Sequence, residues 1–124
     1  VRGICCLIPG QTYSRNIRVT RIVDTFLEHA RIWYFGNGGN PKLFLGSPDW
    51  MRRNLYRRIE AVTPILDPDA KQELIDMLSI QLSDKRKACF VDENLRNCWK
   101  SAHPQKEKVR SQYTFYEYLK EKTE

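Results

Sequence analysis

The chain has 124 residues, 41% hydrophobic and 29% charged, which fits one small globular domain spanning residues 1–124. No run is long enough to span a bilayer, no stretch reads as a signal peptide, and there is no repeat, coiled coil or low-complexity segment. Lys and Arg number 21 against 15 Asp and Glu, a net charge of +6 that favours phosphate-rich polyanions as partners, or a generally basic solvated surface. The cysteines are Cys5, Cys6, Cys89 and Cys98; none form a C-x-x-C. That spacing argues against a zinc site or a disulfide framework and predicts buried thiols in a reducing compartment.

Val1–Ile8 is a nearly continuous apolar run and predicts a central strand ended by Pro9-Gly10. Because the run begins at the first residue, the chain is expected to be a piece of a longer protein. Arg2 interrupts the run. It is either a strand-end cation reaching solvent or an anion-binding group at a strand terminus. A polar loop, Gln11–Asn16, precedes a short extended segment at Ile17–Val19. Ile22, Val23, Phe26 and Leu27 then predict one face of a helix over Thr20–His29, with His29 at its C-terminal end.

Arg31–Phe35 predicts a strand. His29 and Arg31 are two residues apart, so on extended backbone both point to one side, with Ile32 and Tyr34 on the other. An imidazole can move a proton near neutral pH and a guanidinium forks onto phosphate oxygens. The alternative reading of His29 is a capping or surface residue. Gly36–Pro41 predicts a tight turn, and Lys42–Gly46 the second strand of a hairpin. Ser47–Asn54 is a loop or single helical turn holding Asp49, Arg52, Arg53 and Asn54. Arg58–Leu66 predicts a strand that Pro64 ends or places at an edge.

Asp67-Pro68 is a helix start, and Ala70, Leu74, Ile75, Leu78 and Leu82 continue the amphipathic stripe to about Ser83-Asp84. Lys87–Val91 predicts a strand, Asp92–Lys108 a long loop with one helical turn and an exposed His103, and Arg110–Glu124 a helix. The order β, α, β-hairpin, β, α, β, α predicts an α/β domain with a mixed sheet flanked by helices.

His29-Ala30-Arg31 with Gly46-Ser47 resembles a worn form of the phospholipase D superfamily signature, His-x-Lys followed by Gly-Ser. Arg31 stands where the lysine would be, and Gly36 where an aspartate would be. Over nearly the whole chain an ordered set of segments resembles the C-terminal part of the long-chain polyphosphate kinases. The set includes Val1-Arg2-Gly3, Asn16-Ile17-Arg18, Leu27-Glu28-His29, Asn37-Gly38-Gly39, Ser47-Pro48-Asp49-Trp50-Met51, Arg53-Asn54, Arg58-Ile59-Glu60 and Leu66-Asp67-Pro68.

That resemblance implies a phospholipase D-like α/β fold missing its opening strands, the last domain of an enzyme that builds polyphosphate from ATP. The phosphorylated histidine is then in the preceding domain. Arg2 and His29 are implied at the ATP phosphates, His29 as the catalytic residue, with Asn16, Arg31, Ser47, Asp49, Arg53 and Asn54 in support. The resemblance further implies Mg2+ carried mainly by ATP and bound outside this chain, with no metal ligands here. It also implies ATP, ADP and polyphosphate as partners beside the remaining domains of the same polypeptide. A homo-oligomer in the cytoplasm or loosely attached to the inner membrane, with no nucleic acid, completes the expectation. The rivals are a phosphodiesterase of the phospholipase D superfamily, whose full signature is absent, and a non-catalytic polyanion-binding module built on Arg52, Arg53, Lys106, Lys108 and Arg110.

Overall fold

In a computed structural model, which describes residues 5–123, the strands fall into two three-stranded sheets. They are β1 (Thr20–Ile22), β2 (Ile32–Phe35), β3 (Lys42–Gly46), β4 (Val62–Pro64), β5 (Ala88–Val91) and β6 (Asn97–Trp99). The helices are α1 (Arg52–Arg57), α2 (Pro68–Ser83) and α3 (Ser111–Thr123). The α/β class stands. The single mixed sheet does not: among the described residues every strand pair is antiparallel, in the orders β1-β5-β6 and β2-β3-β4.

Contacts divide the chain into two compact units, one from Glu28–Asp76 and the other from the residues up to Leu27 with those from Met77 onward. In the Glu28–Asp76 unit, Trp33 pairs with Phe44 and Leu45 with Thr63. The β2–β3 hairpin turns through Asn37–Gly39, where Gly38 and Gly39 take positive φ of 61° and 93°. Leu43, 1% exposed, is the buried centre of this sheet. Gly46 is obligatory for another reason, since a Cβ there would stand 2.6 Å from the Trp33 ring.

In the other unit Val19, Ala88, Cys89 and Val91 are buried. Asp24 and Arg110 join its two sequence-distant parts. Arg110 donates from Nε at 2.8 Å and Nη2 at 2.6 Å to the two oxygens of a carboxylate whose side chain is 1% exposed. Gln112 closes the same junction by accepting from the Phe26 N–H at 2.9 Å and donating to the Phe26 carbonyl at 2.7 Å.

Several expectations need correction. Thr20–His29 holds no helix; its first residues form β1 against β5, and His29 follows irregular backbone, so no helix dipole acts on it. The i, i+4 apolar pattern is overridden where β-branched Thr20 and Ile22 fit a paired strand. Cys5–Ile8 form no strand; the rest of that expected strand, with Arg2, lies outside the described residues. The thiols are not uniformly buried: Cys89 is, while Cys6 and Cys98 are exposed. A strand at Asn97–Trp99 replaces part of the expected long loop. The helix at Asp67-Pro68 starts where its residues dictate, with Asp67 Oδ1 accepting from the Ala70 N–H at 2.8 Å.

Candidate functional site

Three strand ends meet at one edge of the Glu28–Asp76 unit. The Gly46 N–H donates to the Arg31 carbonyl at 3.1 Å, and the Ser47 N–H to the Ala61 carbonyl at 2.9 Å. These bonds fix the start of β2, the end of β3 and the approach to β4 around an open pocket of about 490 Å3. Its lining includes His29, Arg31, Gly46, Ser47 and Thr63.

Asp49, two residues past Ser47, folds back onto the same edge. Its Oδ1 accepts from Arg31 Nε at 2.9 Å and lies 3.4 Å from His29 Nε2. Arg31 Nη2 is 2.6 Å from that same imidazole nitrogen. The contact brings the His29 and Arg31 side chains together just ahead of β2, on backbone that is not part of the strand. Nε2 can accept from Arg31 or donate to Asp49, but not both at once, and the imidazole tautomer decides which. Arg31 is the better sheltered partner, with a side chain 23% exposed against 64% for His29. The Arg31 hydrogen bond holds the Asp49 carboxyl below the usual carboxylate range, against the opposing pull of desolvation.

Ser47 is in the pocket wall, and its hydroxyl donates to Glu60 Oε2 while accepting from the Ala61 N–H at 3.1 Å. Glu60 also faces Arg58 at 3.5 Å, and its side chain is only 12% exposed. Arg53 and Asn54 do not line this pocket, and Arg2 lies outside the described residues. Asn54 is buried at 4% exposure in α1, and its Oδ1 accepts from Arg53 Nε at 3.3 Å. Arg53 is exposed on that helix, and Asn16 is exposed in a turn of the other unit. His103 sits exposed ahead of a short turn of helix at Pro104–Lys106, as expected.

Among the described residues no group of three or more His, Cys, Asp or Glu side chains could hold a metal ion. Asp49 is already engaged by a cation, so the residues present do not fit a magnesium site of their own.

Comparison with known proteins follows the same lines. The chain is 46% identical over 121 residues to the polyphosphate kinase of Escherichia coli (strain K12), an alignment covering 97% of this chain and 17% of that protein. It is 44% identical over 121 residues to the polyphosphate kinase of Vibrio vulnificus (strain YJ016), with the same coverage. The crystal structure of polyphosphate kinase from Porphyromonas gingivalis superposes with a TM-score of 0.90 at 54% identity, over 97% of this chain and 18% of that one. The chain therefore spans less than a fifth of the length of these relatives. The family described as polyphosphate kinase C-terminal domain 2 matches residues 1–112, and the chain belongs to that family.

Proposed function

We propose that this chain supplies one wall of the ATP-phosphate site of a polyphosphate kinase. The enzyme would pass the terminal phosphoryl of ATP, through a phosphohistidine elsewhere in the polypeptide, to the end of a polyphosphate chain, and would run in both directions. The observation that carries the reading is the His29–Arg31 contact of 2.6 Å at the mouth of an open pocket.

Phosphoryl transfer asks the protein mainly for positioning and charge neutralisation. Arg31 presents a planar fork suited to phosphate oxygens. An arriving phosphate competes with His29 and Asp49 for that fork. As Arg31 turns to the anion, His29 Nε2 loses the guanidinium as its neighbour. It can then carry a proton and donate to a phosphate oxygen as negative charge develops. Asp49, 3.4 Å away, is placed to hold the imidazole as it does so. Arg2, assigned to the phosphates by the family resemblance, would add a second guanidinium. Magnesium supplies charge neutralisation when it enters with the nucleotide phosphates. Arg53, Asn54 and Asn16 take no direct part in this reading. The protein would work in the cytoplasm as a homo-oligomer. Among the described residues no helix is long and apolar enough to cross a membrane.

The test is polyphosphate formation from ATP by the full-length protein carrying His29→Ala, with melting temperature measured alongside. Loss of one positioned proton donor lowers synthesis about 100- to 10,000-fold, while the melting temperature stays near that of the parent. His103→Ala is the control and keeps near-parental synthesis. Retained synthesis in His29→Ala, or loss that merely tracks unfolding, refutes the assignment.

A further inference from the structure

The β1-β5-β6 sheet carries a second concave surface, independent of the His29 pocket. Alternation along its strands puts Arg21, Cys89, Asn97 and Trp99 on one face, and Val23 and Lys87, just outside β1 and β5, line the same cleft. Arg21 stands opposite Cys89, and Cys89 opposite Trp99. Together these side chains line a cleft of about 160 Å3. Cys89 is its buried floor and Trp99, 57% exposed, its rim.

The polar chemistry of this lining is one-sided. Guanidinium, ammonium and indole groups only donate hydrogen bonds. Asn97 Oδ1 already accepts from Arg21 Nη1 at 3.0 Å, which uses one of its two lone pairs, while its NH2 adds donors. No carboxylate lines the cleft among the described residues. A nucleobase needs protein acceptors opposite its amino groups. A run of phosphates has acceptor oxygens on every side and full negative charge, which complements two cations and a set of donors.

We propose that Arg21, Lys87, Asn97 and Trp99 form a second anion site, which holds a segment of inorganic polyphosphate. The choice of an inorganic phosphate chain rests on the function proposed above; the cationic, carboxylate-free lining does not. Held there, the chain would stay attached between transfers, raising the effective concentration of its end at the reacting site.

The experiment is equilibrium binding of inorganic tripolyphosphate to the full-length protein, in the parent and in a His29→Ala background. Lys87→Gln should weaken binding about 3- to 10-fold, the scale of one charge-assisted hydrogen bond partly screened by solvent. Lys87→Arg should restore most of it. The Lys87→Gln factor should be the same in both backgrounds, because independent sites add. The proposal is overturned if Lys87→Gln binds like the parent, if Lys87→Arg is no better than Lys87→Gln, or if the effect disappears in the His29→Ala background. Binding of AMP as tight as tripolyphosphate, lost equally in Lys87→Gln, overturns the phosphate-chain assignment. If instead His29→Ala keeps full synthesis, the reading of the first pocket fails, while an unchanged Lys87 factor leaves this cleft standing.

Discussion

At His29 a single nitrogen faces a guanidinium at 2.6 Å and a carboxylate oxygen at 3.4 Å, and Asp49 is the group that keeps both neighbours in place. Removing it frees Arg31 to swing, and misplacement on the ångström scale is costly in positional catalysis. Asp49→Ala in the full-length protein should lower polyphosphate synthesis by about 10- to 100-fold, with Asp49→Asn intermediate because the amide oxygen still accepts from Arg31. Equal activity in all three proteins would remove Asp49 from the site. The pH behaviour has a definite sign. The Arg31 hydrogen bond lowers the Asp49 pKa from its ordinary 3.8, so the folded carboxylate binds its proton less readily than the unfolded one. Its contribution is complete above the ordinary value and is lost only as pH falls through the lower folded value. Asp49 therefore stays ionised from about pH 5 to 8, and a carboxyl-carbon NMR titration of Asp49 should show a midpoint below that of a reference peptide. A midpoint at or above the reference would contradict the Arg31 contact. The His29–Arg31 pairing was legible in a two-residue spacing. Its Asp49 partner was not, because closure over 18 residues depends on the hairpin and on which way the chain leaves Gly46.

Elements whose boundaries are set by local chemistry were the legible ones. Asp67 and Pro68 start α2 by capping and fixed φ, and the β2–β3 hairpin follows from its Gly-rich turn. Those set by pairing were not. Asn97-Cys98-Trp99 has no apolar alternation; it becomes β6 because Asp92 Oδ1 accepts from the Asn94 and Arg96 N–H groups at 2.9 and 2.8 Å and turns the chain back onto β5. Asp84 shows the same dependence on distant partners. Its side chain is fully buried, Oδ1 accepting from the Lys87 N–H and Oδ2 from the Ser111 N–H, each at 2.7 Å. One carboxylate thus connects the end of α2, the approach to β5 and the N-terminus of α3, where a negative charge is also favoured by the helix dipole. Asp84→Ala strands two backbone donors out of water and should destabilise the fold by about 2–4 kcal/mol. Urea denaturation monitored by circular dichroism measures this, and a change below about 0.5 kcal/mol, the range of an ordinary surface substitution, would show that water replaces the carboxylate without loss.

At the scale of the molecule, the buried apolar side chains among the described residues are Val19, Leu43, Ala88, Cys89 and Val91, small groups apart from Leu43. Against them stand exposed Ile59 at 103%, Leu66 at 83%, Tyr56 at 79%, Leu27 at 77% and Trp50 at 76%. Scattered apolar residues on a surface are ordinary, but Trp50, Met51, Leu55, Tyr56 and Ile59 are all exposed within ten residues that run through α1. Concentration of that kind marks a surface that associates. None of this could be read from the sequence, where the same residues look like ordinary core candidates; exposure is decided by which partners the fold supplies. The 124-residue chain by itself should therefore self-associate as its concentration rises. Sedimentation velocity should show the mean mass growing across a dilution series. Ile59→Lys should suppress that growth without lowering the melting temperature, because a fully exposed side chain contributes little packing to lose. A single monomeric species at every concentration would show that the exposed apolar side chains do not drive association. Association unchanged in Ile59→Lys would move the contact away from α1, towards β2 and β4, the outer strands of the β2-β3-β4 sheet among the described residues.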